Sequence, residues 1–303
     1  MSGDDLKARV EQWLGEQGYP LEFACAAAFR AGGFEVLQGH YVSKSDGTRR
    51  EVDVLAQATV PLKRGFVRVS FVVECKWSGD KPWVAFVAGR GLAKSACIAQ
   101  TMASQSGRTA LWMSRGSEEL EGLSVFDTPA PAGFSGRQAF SANRDVFYEA
   151  LQAVTGAASS LVESYDAPAR DATQHLAQAV IAFPVIVVKT SLFQASFDAE
   201  KGTMAVSERP HVRLHWKGSD SWPAPHATVD IVAADHLPEF IRQRAADVDV
   251  LLRLVRQSLE NLRECVKKRS LKELRVTTGP AGFVGGPQLI RELRQLFGED
   301  RKP

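Results

Sequence analysis

Residues 69–79 read "VSFVVECKWSG". A run this rich in Val and Phe is a strand for the interior of a sheet. It nevertheless ends on Glu74, Cys75, Lys76 and Trp77. Charged side chains rarely enter a core without a partner or a function. A fold built on this chain must therefore bring Glu74 and Lys76 to a place that neutralises or uses them. Side chains two apart on a strand share a face, about 6.6 Å apart along the chain. Glu74 and Lys76 then project together, while Cys75 points away, into core packing. Trp77 falls on the Cys75 face.

The neighbouring segments build an α/β layer structure. Residues 6–15 carry the helical stripe Leu6, Val10, Trp13 and Leu14, with Asp4 or Asp5 as cap. A second helix spans 20–31, opened by Pro20 and closed by Gly32-Gly33. Three strands follow: "FEVLQGHYVSK", "REVDVLAQATV" and "GFVRVSFVVECKW", the first two joined by the turn "SDGT". Residues 83–104 have helical spacing, and 108–114, "RTALWMS", read as a short strand. The Pro- and Gly-rich segment "DTPAPAGFSG" marks a boundary. The expected division is a first domain at 1–125, a loop or linker at 126–142, and an α+β region at 143–303. That last region offers a helix at 143–164, strands in "FPVIVVKTSLFQASF", "HVRLHWKG" and "ATVDIVAAD", a long helix at about 238–274, the loop "TTGPAGFVGGP" and the closing helix "QLIRELRQLF".

Charge and cysteine usage narrow the class. A net charge of +2 over 303 residues gives no large field, so any basic surface is local. Cys25, Cys75, Cys97 and Cys265 form no CxxC, which suits reduced thiols in a reducing compartment. The opening "MSGDDLKARVEQWL" is unlike a signal peptide, and "AVIAFPVIVV" is about half the ~20 residues of a membrane span. These features point to a cytoplasmic location without membrane partners.

"REVDVLA" places Asp53 opposite Val52 and Val54 in strand alternation. If its strand is the antiparallel neighbour of the next, one register sets Asp53 beside Glu74. Two carboxylates remain ionised together only with a cation between them. A small oxygen set with open water positions suits Mg²⁺, with Mn²⁺ as a substitute. Such an ion polarises a phosphodiester and acidifies bound water, and a nearby lysine orients that water or neutralises the phosphate. Asp followed by Glu-x-Lys on adjoining strands is a working set for phosphodiester hydrolysis.

"REVDVLA" followed by "VSFVVECKWS" resembles the PD-(D/E)xK nuclease superfamily, and within it the Mrr-like restriction endonucleases and Holliday-junction resolvases. The resemblance covers residues 20–114. It implies a restriction-endonuclease-like α-β-β-β-α-β core, Asp53 and Glu74 as metal ligands, Lys76 as the residue positioning the base, and Glu22 as an added acid on the first core helix. Val52 stands where the proline of the family name would be, a position that resolvase-like members also fill otherwise. The implied activity is that of a Mg²⁺-dependent DNA endonuclease of restriction or defence type, with a homodimer to cut both strands. A catalytically silent module binding nucleic acid or a protein partner is the alternative.

Cations surround the proposed site: Lys44, Arg49, Arg50, Lys63, Arg64, Lys81, Arg90 and Lys94. Lys44, Arg49, Arg50, Lys81, Arg90 and Lys94 are expected to hold DNA phosphates without reading sequence. Residues 241–275 carry ten Lys or Arg against five acids around an apolar stripe. This basic amphipathic helix either meets nucleic acid or covers the second-half sheet. His211 and His215 lack a completing ligand and are expected to be structural, and "GPAGFVGGP" lacks the Lys-Ser/Thr ending of a phosphate loop.

Overall fold

Two helices, α1 (Gly3–Gly15) and α2 (Tyr19–Ala31), lead into an antiparallel meander of β1 (Glu35–Ser43), β2 (Arg49–Pro61) and β3 (Phe66–Lys76). The computed structural model describes residues 3–43, 49–77, 79, 81–89, 91–114, 117–141, 145–166, 177–216 and 227–268. The turn "SDGT", Lys44, Arg90 and everything expected beyond residue 268 lie outside the described residues. Next come β4 (Trp83–Ala88), α3 (Lys94–Gln100), β5 (Met102–Ala103), α4 (Gln105–Ser114), α5 (Glu118–Glu121) and β6 (Ala132–Gln138). The second half supplies α6 (Val146–Glu163), β7 (Gln178–Val188), β8 (Leu192–Asp198), β9 (Thr203–Glu208), β10 (His211–Trp216), β11 (Ala227–Ala233) and α7 (Leu237–Lys268). The result is a mixed α/β fold on one eleven-stranded mixed sheet, in the order β1-β2-β3-β7-β11-β10-β6-β4-β8-β9, with β5 paired to β7.

Several segments differ from expectation. Residues 83–104 divide into β4, whose side chains alternate in burial, and α3. Residues 108–114 belong to helix α4, not a strand. The Ser104 hydroxyl accepts the Gly107 N–H at 3.4 Å and its carbonyl accepts the Arg108 N–H at 2.8 Å, starting a helix. Every α4 residue after Gln105 is buried, apart from the half-buried Arg108, so the segment showed no alternation by which to tell helix from strand. The parallel neighbour of β3 is β7, in register from Phe66↔Gln178 to Lys76↔Val188. The segment 126–142, expected as a linker, contains β6, which pairs with β4 and β10. The sheet thus runs unbroken across the proposed domain boundary.

β7 explains why the halves join. All its residues except Gln178 are buried. Pro184 sits in an interior strand because its second edge is shared: Ile181 and Ala182 pair with β5, and pairing with β11 starts at Val185. Proline is tolerated where the ladder changes partner. One core face carries α2, α4 and α7 against Val54, Phe71, Val73 and Cys75; the other carries α6 against Leu55, Val72 and Ile186. The apolar residues of α7 cover first-half elements as well, lying against α2, α4 and β3. The stripe of α1 is not covered: Leu6, Val10, Trp13 and Leu14 are all exposed.

Gly65 turns β2 into β3 at a φ of +103°, and an added Cβ would stand 1.7 Å from the Ala177 carbonyl oxygen. That oxygen accepts the Phe66 N–H at 2.9 Å, at the start of the β3–β7 pairing. We predict that Gly65→Ala costs about 2–3 kcal/mol in urea denaturation, from backbone strain and overlap together.

A buried ion cluster fastens β10 to its surroundings. Arg213 and Asp230 are register partners, and the guanidinium holds both carboxylate oxygens at 2.7 and 2.8 Å. Arg213 Nη1 also donates to the carbonyls of Val125 and Asp127 at 3.0 and 2.8 Å. His211 Nε2 lies 2.7 Å from Asp230 Oδ1, the structural role expected for it. Burial works to raise the Asp230 pKa, but Arg213, His211 and Arg244 hold it well below the usual carboxylate range. A depressed acid stabilises the fold above its unfolded pKa and loses that contribution as pH falls toward the folded value. Asp230→Ala should therefore cost about 3–5 kcal/mol at neutral pH by stranding buried cations. The deficit should narrow only below about pH 4, the ordinary carboxylate range.

Candidate active site

The charged end of β3 is not at a sheet edge. β3 lies between β2 and β7, and its pairing with β7 extends to Lys76. Lys76 Nζ donates to Glu74 Oε1 at 2.5 Å, with side chains 29% and 12% exposed. A water-facing edge pair would be worth only about 0–1 kcal/mol. This pair has instead been carried into the interior, where desolvation makes its placement costly.

Asp53 reaches the same point through a local distortion of β2. Val54 and Ala56 pack on the α2 side, and Leu55 on the α6 side, as alternation requires. Val52 also packs on the α6 side, so alternation slips by one at Asp53. The expectation that Val52 and Val54 share a face is corrected accordingly. Across from Asp53 in β1, Gly39 has a φ of +58°, which glycine adopts without a Cβ penalty, and the β1–β2 register skips this pair. The β2–β3 register closes at Val54↔Val73, so the next position sets Asp53 opposite Glu74. There Asp53 Oδ2 accepts the Cys75 N–H at 2.7 Å, taking the place of a backbone partner.

Glu22 comes from the first turn of α2. Cys25 and Cys75 are both buried in the core cluster that packs α2 against β3. Glu22 lies three residues before Cys25, on the same helix face and one turn nearer the helix start. Its carboxyl feels Asp53, Glu51 and Lys76.

The electrostatics separate this group from an ordinary ion pair. Burial and then Asp53 push Glu74 up to about 6, despite Lys76 beside it. Burial also raises Asp53, outweighing the Cys75 N–H and Lys76. Burial followed by Asp53 and Glu51 raises Glu22. For Lys76, burial acts to lower the pKa, but Glu74 and Asp53 leave it above the ordinary ammonium value. Among the described residues, Glu22, Asp53 and Glu74 share the Lys76 ammonium, so negative charge is in excess. Asp230 offers the contrast. It too is an Asp in an apolar strand, "ATVDIVA", but Arg213 stands opposite and its pKa falls. Acids raised in this way are candidates for a functional site.

The donor set fits a divalent ion with few protein ligands. Asp53 and Glu74 each commit one oxygen to a hydrogen bond, to the Cys75 N–H and to Lys76. Their second oxygens take no hydrogen bond among the described residues. No group of three or more His, Cys, Asp or Glu gathers as a metal cage among the described residues. Two carboxylates completed by water are what Mg²⁺ accepts.

The described cations expected around the site differ in exposure and pairing. Arg49 and Lys81 are exposed. Arg50 is half-buried, its guanidinium seated against Gly156 of α6, and its Nε has no hydrogen-bond partner among the described residues. Lys94 pairs with Asp127 at 2.5 Å. On α7, Arg253 pairs with Glu119, and Arg256 with Glu260 at 3.0 Å. Trp77, just past the strand, is 41% exposed. The Arg213–Asp230 cluster escaped sequence reasoning, although each residue is a lone charge in an apolar strand, the signal that singled out Asp53.

Comparison with protein-family models, curated proteins and solved structures finds no match.

A raised acid favours the fold below its unfolded pKa and loses that favour as pH rises through the folded value. We predict that metal-free Glu74→Gln is more stable than the unaltered protein at pH 8, by about 1 kcal/mol. The difference should fade from pH 6 downward to 4.5 in urea denaturation with chelator present.

Proposed function

We propose that the chain is a Mg²⁺-dependent endonuclease that hydrolyses DNA phosphodiester bonds, of restriction or defence type. The observation that carries this reading is the convergence of Asp53, Glu74 and Lys76 at the interior end of β3, with acid in excess and two carboxylate oxygens uncommitted. The meander β1-β2-β3 with β7 parallel to β3, flanked by α2 and α4, supports a restriction-endonuclease-like core whose fourth strand comes from the second half of the chain.

In this reading Asp53 and Glu74 would hold the ion, which when bound supplies Lewis-acid polarisation of the phosphate and acidification of water. Lys76 orients the attacking water and offsets charge building on the phosphate. The Cys75 N–H fixes Asp53 Oδ2 and so aims the remaining oxygen. Glu22 bears on the site from α2, as an outer contact to ordered water. A pair of chains would cut both strands of a duplex. The closed Lys76–Glu74 contact favours a second reading, a catalytically silent module binding nucleic acid or protein.

Cleavage of supercoiled plasmid by purified protein separates the two. We expect nicking or linearisation that requires Mg²⁺ or Mn²⁺ and falls at least 100-fold, on the order of one missing catalytic group, in Lys76→Ala and Asp53→Ala proteins with native circular dichroism. Cleavage that survives both substitutions, or none from the unaltered protein, would select the silent module.

A further inference from the structure

The parallel strands β3, β7 and β11 bring their C-terminal ends to one edge of the sheet. In open α/β sheets this is the edge at which ligands collect. The chain leaving β7 stays beside the candidate active site, because the Lys189 N–H donates to the Lys76 carbonyl at 3.0 Å. A cavity of about 750 Å³ opens here, lined by residues 188–192, 208–210 and 233–236. That volume lies in the range of small-molecule and nucleotide pockets, about 300–1,000 Å³.

The lining has a mixed character. Lys189 and Arg209 are exposed, and their side chains make no ion pair among the described residues. Ser191 adds a hydroxyl and His236 a ring beside them, whereas Glu208 and Asp235 contribute carboxylates. A pocket for bare phosphate would have no use for the acids. A nucleotide unit uses both kinds of group: its phosphate accepts from Lys and Arg, and the exocyclic amines of its base donate to carboxylates.

Resting on the nuclease reading, we propose that this cavity is the substrate subsite next to the scissile phosphate. It would hold one nucleotide unit of the strand being cut, with its phosphate on Lys189 and Arg209 and its base edge toward Glu208 and Asp235. The second half of the chain thereby acquires a role: through β7, the β9–β10 turn and β11 it builds the surface along which the strand leaves Lys76.

The test is DNA binding by full-length protein, followed by fluorescence anisotropy of a labelled duplex and a labelled single strand. Ca²⁺ replaces Mg²⁺ so that cleavage does not interfere. The unaltered protein is compared with the double variant Lys189→Gln, Arg209→Gln, whose Mn²⁺ affinity and melting temperature should be unchanged because neither side chain is in the metal set or the core. We expect the dissociation constant to rise at least tenfold and the slope of log K against log salt to fall by about 1, for the one phosphate that is no longer neutralised. If the unaltered protein binds and cuts DNA but the double variant keeps its affinity and slope, the subsite is overturned and the nuclease reading stands. If the unaltered protein neither binds nor cuts, both fall.

Discussion

The parallel pairing of β3 with β7 is the constraint on which the rest of the molecule depends. Its eleven consecutive register pairs turn what would be an edge strand into an interior one. The pairing joins the two halves of the chain in one sheet and leaves no place to divide them at 126–142. It also holds Glu74 and Lys76 in the sheet, since their pairing with Ile186 and Val188 of β7 continues past the point where the β2 ladder stops. Desolvation of Glu74 follows directly from that topology.

The electrostatic consequence is a site held against its own preference. An acid opposite a guanidinium, such as Asp230, is settled by its partner, and its pKa drops. Among the described residues, Glu22, Asp53 and Glu74 share the Lys76 ammonium, and all three are pushed up. A fold selected for stability alone would replace such a group with apolar side chains. The slip in β2 alternation at Asp53 and the left-handed Gly39 opposite it belong to the same arrangement, because they free the Asp53 carboxylate at the end of the strand.

Much of this was legible in the residues themselves. The meander, α2 and α6 follow from periodicity, turn glycines and caps, with ends within a few residues of those observed. The facing of Asp53 and Glu74 followed from one assumed register, the one the two strands adopt. Other features depend on partners far away in sequence. α4 is buried nearly all round, so its residues carry no stripe to reveal a helix. β6 has three small residues among seven, Ala132, Gly133 and Gly136, and Gly133 and Gly136 lie close against Leu214 and Phe147; a Gly-rich run of this kind reads as loop until its neighbours are known. The Val52 slip was hidden because strict alternation is the default for any strand. "VDV" and "VDI" look alike in sequence, and only the residue across the ladder distinguishes a raised carboxylate from one paired with a guanidinium.

We propose that Asp53 and Glu74 jointly hold one divalent ion. Calorimetric titration of the metal-free protein with Mn²⁺ at pH 8 tests it most directly. One site per chain is expected, lost in Asp53→Asn and in Glu74→Gln and kept in Asp230→Asn. Binding that is absent, or that survives the loss of either carboxylate, would contradict it.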